Sequence, residues 1–171
     1  MKIHASRTIL AVALGLTLAC GSAAAQTKAS ASDATFVEKA SAAGLTEVTA
    51  GKTATEKSQS DQVKTFGQQM VDDHTKAGDE LKSIAQAKGM TVSSAPMAAD
   101  AKALDSMDNL SGAAFDSAFK KKMVADHEKV IALFKKESTT GSDADLKAFA
   151  TKTLPTLQHH LEMAKALPAS K

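Results

Sequence analysis

One helical face recurs in this chain 53 residues apart, and each copy carries a histidine at its centre. Phe66 to Lys82 reads FGQQMVDDHTKAGDELK, and Phe119 to Lys135 reads FKKKMVADHEKVIALFK. Phe66, Met70, His74, Ala77 and Leu81 are three or four residues apart, as are Phe119, Met123, His127, Val130 and Phe134. That spacing draws a single stripe along an α-helix. Each stripe is apolar except for its imidazole, and a buried imidazole costs free energy unless its nitrogens find partners. A fold built from these segments must therefore solve the same polar problem twice.

Two further segments share the pattern. Leu146, Phe149, Thr153, Leu157, His160 or Leu161, Ala164 and Leu167 make the inward stripe of a C-terminal helix, where His160, three after Leu157 and four before Ala164, faces inward and His159 is turned about 100° away. Near the N-terminus, Phe36, Val37, Ala40, Gly44, Glu47, Val48, Gly51 and Ala54 form a stripe rich in small residues, which permits close approach of a neighbour. The long helices are predicted over about 32–57, 60–88, 112–141 and 142–167. Gly89 is expected to stop the second, Ser111 to cap the third, and Ser142 with Asp145 to cap the fourth. Pro155 is expected to kink the last helix by freeing the carbonyl of Thr151. Within the long connection, Ala98 to Asn109 is predicted as a short amphipathic helix with Leu104 and Met107 inward.

Two tight turns and one long connection define the expected topology. The turns make the first and second long helices antiparallel, and likewise the third and fourth. About twenty residues between the second and third can traverse the length of the molecule, at about 3.3 Å per residue. The expectation is an all-α, ferritin-like four-helix bundle with a long crossover between its second and third helices. Up-down-up-down order is the alternative. The domain divisions are a signal peptide over 1–25, a tether over 26–31 and the bundle over 32–168.

Each long helix then brings one ionisable residue inward: Glu47, His74, His127 and His160. Heights counted from the helix ends put Glu47 and His160 in one layer, with His74 and His127 about 7 Å below. The lean of each side chain toward its own helix N-terminus narrows that gap. A set of one carboxylate and three imidazoles suits one transition metal ion: copper, zinc or iron. Asp73 and Asp126, each preceding a histidine, are the expected supporting residues. Met70 and Met123, four residues before His74 and His127, are thioethers that favour copper(I) if they reach the ion and core filler if they do not. A metal-free hydrogen-bond network among the same residues is the other reading.

The N-terminus and the charge balance bear on location and partners. Lys2 and Arg7 precede an apolar run from Thr8 to Ala19, followed by Ala23-Ala24-Ala25, a signal-peptide pattern with cleavage expected before Gln26. The expected location is periplasmic or secreted, with no transmembrane segment after processing. Cys20, the single cysteine, lies in a lipoprotein-like Leu18-Ala19-Cys20-Gly21, so a lipid anchor at the envelope is the alternative. The chain has 21 Lys and Arg against 19 Asp and Glu, and loss of Lys2 and Arg7 leaves 19 of each sign. A neutral chain with interspersed charges carries no electrostatic footprint for nucleic acid. Trp and Tyr are absent, which leaves Ala, Leu, Met, Val and Phe to build the core and favours helices over sheet.

Several short motifs carry a family resemblance. They are Phe36-Val37, Gly44-Leu45-Thr46-Glu47, Met70-Val71-Asp72-Asp73-His74, Asp126-His127-Glu128 and the run from Leu154 to Leu161, LPTLQHHL. In combination the chain resembles the exported bacterial family numbered 4142 among the domains of unknown function. That resemblance implies a ferritin-like bundle and no particular activity. Val71, Val124 and Leu157 stand three residues before His74, His127 and His160, where di-iron carboxylate proteins carry glutamate, so too few carboxylates remain to bridge two irons. No nucleophile motif, phosphate loop or paired catalytic carboxylate appears. The leading expectation is a non-catalytic exported bundle that binds a metal ion for metal handling or envelope stress protection. A metal-dependent oxidoreductase and a metal-free interaction module of the envelope are the alternatives.

The processing expectation is checked by the intact mass of the exported protein. A chain beginning at Gln26 is expected, and one beginning at an acylated Cys20 would contradict it.

Overall fold

The structure, a computed structural model, describes residues 30–168, all helix and connections with no strand among them. Its helices are α1 (Ala31–Lys57), α2 (Asp61–Ala87), α3 (Ala98–Asp108), α4 (Gly112–Thr140) and α5 (Ala144–Ala166). The expected signal peptide, Cys20 and the expected cleavage site before Gln26 lie outside the described residues. None of the described helices is long and apolar enough to cross a membrane.

Local chemistry sets the helix ends. Ser30 caps α1 in a reciprocal box. Its hydroxyl accepts from the Asp33 N–H at 3.1 Å, and Asp33 accepts from the Ser30 N–H at 3.3 Å. Gly89 ends α2 as expected: at φ +66° it takes the left-handed conformation that glycine reaches without strain. The Gly89 and Met90 N–H groups then return to the carbonyls of Gln86 and Ala85. The α5 cap differs from the expected Ser142 pattern. Asp143 is the cap, accepting from the Asp145 and Leu146 N–H groups at 3.0 and 3.1 Å. Ser142 instead donates its N–H to Asp33 at 3.0 Å, which ties the α4–α5 turn to the start of α1. The α5 helix continues through Pro155 to Ala166.

These ties also fix the helix directions. The start of α1 meets the end of α4 through Asp33 and Ser142. Lys57, at the end of α1, pairs with Asp108 just before α4 begins, so α1 and α4 are antiparallel. Lys88, at the end of α2, pairs with both Asp143 and Asp145 at 2.7 Å, so α2 and α4 finish at the same end and run parallel. Lys120, early in α4, donates to the carbonyl of Leu167 at the end of α5. The short α3 lies along the connection with Met107 buried and Leu104 packed beside it.

The core is divided in two. At one end Phe36, Leu81, Phe134, Leu146, Phe149 and Leu157 pack together. At the other, Phe66, Met70, Phe115, Phe119, Met123 and Leu167 do so. Glu47, His74, His127 and His160 fall between these two groups on all four long helices. Helices α1 and α2 approach so closely that a Cβ on Gly51 would stand 2.5 Å from the Gly67 carbonyl oxygen, and one on Gly67 would stand 2.8 Å from that of Gly51. At Gly44 an added Cβ meets nothing within 4 Å.

These contacts predict opposite signs for one chemical change. Gly51→Ala is expected to destabilise by about 1–3 kcal/mol through backbone displacement, and Gly44→Ala to stabilise by about 0.5–1 kcal/mol through helix propensity. Urea unfolding of the two variants checks this, and a gain in stability for Gly51→Ala would contradict the close approach.

Candidate metal centre

Helical periodicity delivers three imidazoles and one carboxylate to a single level. His127 and His160 are fully buried, and Glu47 and His74 are 1% and 7% exposed. The ring centroids are 5.7 Å apart for His74 and His127, 5.3 Å for His74 and His160, and 5.5 Å for His127 and His160. The two layers expected from counting residues therefore merge into one three-ring cluster. One nitrogen from each ring lies within 4.8 Å of one from each of the others. Exposed His159 stays outside, as its position in the helical period requires.

Each ring has one nitrogen engaged and the other without a partner. His127 donates its Nδ1–H to the Met123 carbonyl at 2.8 Å. That carbonyl lies one turn earlier in α4, and a helical side chain leans toward it. His160 donates its Nε2–H to Asp73 at 2.9 Å. His74 places Nδ1 3.1 Å from Glu47 Oε2. The nitrogens left buried and unpartnered are Nε2 of His74, Nε2 of His127 and Nδ1 of His160. In neutral rings with these tautomers each offers a lone pair.

The expected supporting residues divide. Asp73 serves His160 on another helix rather than the His74 that follows it. Asp126 turns to Lys122 at 2.9 Å, and Lys122 also holds Asp100 of α3 at 3.0 Å. Glu47 is brought to the cluster, 3.5 Å from His127 Nδ1 by its other oxygen, but stands behind His74 and outside the set of three mutually close donors. Met70 and Met123 are fully buried in the apolar group beside Phe66 and Phe119. The Met123 contribution is its backbone oxygen, which a search for ligating side chains passes over.

Burial governs the protonation of the cluster. Desolvation pushes the Glu47 carboxyl well above its usual range, reinforced by Asp126 and Asp100 and partly offset by Lys122. Desolvation also holds His74 well below its usual value, with His127 and His160 adding to the effect. His127 is lowered to about 4 by burial, against the raising effect of its bond to Met123. His160 is lowered by burial although Asp73 opposes the shift. Without a cation the cluster is thus a set of neutral imidazoles beside a reluctant carboxylate. A divalent ion reverses that logic, because its field favours carboxylate ionisation and needs unprotonated rings.

Comparison with known proteins bears on lineage. The profile described as Domain of unknown function (DUF4142) matches residues 18–167. The chain belongs to the DUF4142 family. The match takes in every described helix and all four residues of the polar layer, in agreement with the motifs on which the resemblance rests. No curated protein and no solved structure gives a significant match.

The depressed His127 value has a testable sign. Its folded pKa lies below the unfolded value of about 6.5, so its contribution to stability is present above pH 6.5 and is lost as the pH falls through about 4. In metal-free protein, NMR titration of the His127 ring is expected to show a midpoint near 4. A midpoint near 6.5 would mean the ring is solvated.

Proposed function

We propose that this chain is an exported, non-catalytic metal-binding protein that holds one transition metal ion on His74, His127 and His160, for metal handling or protection of the envelope. The observation that carries this reading is the division of labour within each ring. One nitrogen is engaged by Glu47, the Met123 carbonyl or Asp73, and the opposite nitrogen is buried with no partner. Carboxylates and carbonyls commonly hold metal-ligating histidines in this way, fixing the tautomer and the ring orientation. A buried network that existed only for stability would leave three costly orphaned acceptors. Imidazole ligands suit zinc, copper or iron. Three nitrogens about 2.0–2.1 Å from a zinc ion stand roughly 3.4 Å from one another, so binding draws the rings slightly inward.

The same proposal assigns the architecture to the ferritin-like four-helix bundles. What supports this is the parallel course of α2 and α4, with α3 lying in the crossover between them. The chemistry departs from the di-iron members of that class, because three imidazoles with Glu47 and Asp73 set behind them make a mononuclear, nitrogen-rich site.

Calorimetric titration of demetallated protein with zinc and with copper tests the function. One ion per chain is expected. His74→Ala and His127→Ala are expected to abolish stoichiometric binding with helicity retained, and Asp73→Asn to weaken it by about 10–100-fold. Unchanged binding in both histidine variants would remove the proposal. A purely structural network gives no binding in the parent protein, with about 1–3 kcal/mol lost on each histidine truncation.

A further inference from the structure

The nitrogens assigned to the metal are sealed from solvent. Nε2 of His74, Nε2 of His127 and Nδ1 of His160 are buried without a partner, so an ion reaches them only if side chains on its route move. The seam between α1 and α2 offers little room, because backbone meets backbone at Gly51 and Gly67. The seam between α2 and α5 is built differently. A cleft of about 150 Å³ lies in it, lined in part by both His74 and His160. His127 lies next to them, its ring centroid 5.7 Å from that of His74 and 5.5 Å from that of His160.

Two polar rungs cross this seam. In one, Asp73 of α2 holds the His160 ring at 2.9 Å while its own side chain is 39% exposed. In the other, Lys152 of α5 donates to both carboxylate oxygens of Glu80 of α2, at 2.8 and 2.9 Å. Glu80 follows Asp73 by seven residues and Lys152 precedes His160 by eight, so the rungs stand about two helical turns, roughly 11 Å, apart. Between them the cleft is lined by short side chains, Ala77 on α2 and Thr153 and Thr156 on α5, with buried Leu157 beneath.

The two rungs are not equivalent. The first fixes a ligand ring, so opening it would disorder the site. The second touches no ring, and Glu80 and Lys152 are 36% and 67% exposed. An ion pair in such contact with water contributes little to stability and breaks readily. Lys76 also lines the cleft, so with Asp73, Glu80 and Lys152 it carries two side-chain charges of each sign. Net attraction therefore does not define this opening; the exposed rung does.

We propose that the metal ion enters and leaves between α2 and α5, and that the Glu80–Lys152 ion pair is the bar that swings aside to admit it. The inference rests on the metal reading above and adds its route of exchange. A bar across a route changes the barrier in both directions, so its removal speeds uptake and release alike and leaves affinity unaltered.

The test is stopped-flow spectroscopy of the metal-free chain, following visible absorption as cobalt(II) binds and as excess EDTA withdraws it. Lys152→Met and Glu80→Met are each expected to raise both rates by about two- to five-fold, the range that an exposed ion pair supports, with one ion per chain and an unchanged Kd. The double variant Glu80→Lys with Lys152→Glu restores the bar and is expected to return both rates to those of the parent. Gly44→Leu narrows a separate cavity of about 380 Å³ that reaches His74 from the α1 side, and is expected to leave the rates unaltered. Opposite shifts in the two single variants would show that charge alone governs entry, and slowing by Gly44→Leu would put the route on the α1 side; either overturns the proposal. Unaltered rates in both single variants, with one ion still bound, would overturn the entrance and leave the metal reading standing. A parent chain that binds no cobalt would overturn that reading and the entrance with it.

Discussion

The organisation of this protein depends on one layer of polar side chains held inside an otherwise apolar core. Glu47, His74, His127 and His160 come from four helices and meet where two hydrophobic groups adjoin. Burying four such groups is unfavourable unless each finds a partner. The partners here are specific: Glu47 for His74, a backbone carbonyl for His127, and Asp73 for His160. Any rotation of one helix by a residue would break its pairing and expose the corresponding apolar stripe. The layer therefore fixes the rotational register of all four helices, while the apolar groups on either side supply the drive to pack them.

The ends of the helices reinforce that register from outside. At one end Asp33 accepts from Ser142, and Lys88 bridges Asp143 and Asp145, so the start of α1, the end of α2 and the α4–α5 turn close on one another. Burial works against ionisation of Asp33, but bonds from Ser142, Ser30 and Asp143 outweigh it and hold the carboxyl below its usual value. Neighbouring Glu137 is pushed up to about 7 by burial and by the charge of Asp33. This end of the molecule is thus arranged around one ionised and one reluctant carboxyl. At the other end Lys57 pairs with Asp108 and anchors α3 beside the start of α4. Further along α3 and α4, Lys122 joins Asp100 to Asp126 and carries charge close to Glu47.

Much of this was legible in the residues. The three-and-four spacing in Phe66–Leu81 and Phe119–Phe134 sufficed to place His74 and His127 inside, and the same periodicity separated buried His160 from exposed His159. The small residues of the first helix foretold the close approach of a neighbour, which proves to be α2 at Gly51 and Gly67. Distances were less legible. Counting residues along idealised helices set Glu47 and His160 about a turn from the other pair, because helix ends are uncertain by a few residues and side-chain lean is not a fixed length. The partners of the rings were least legible. Asp126 stands immediately before His127 yet turns to Lys122, since adjacent residues on a helix point about 100° apart. Asp73 finds His160 across the interface for the same reason. The α5 cap moved from Ser142 to Asp143 because the Ser142 N–H is committed to Asp33, a contact between residues more than a hundred positions apart that no local pattern contains.

The central claim is that the unpartnered nitrogens of His74, His127 and His160 converge on one ion. X-ray absorption spectroscopy of protein loaded with one equivalent of zinc addresses that convergence directly. The account predicts a nearest shell of nitrogen and oxygen at about 2.0–2.1 Å, with the outer scattering of three imidazole rings. A shell containing sulfur at about 2.3 Å, or oxygen neighbours without imidazole scattering, would contradict it.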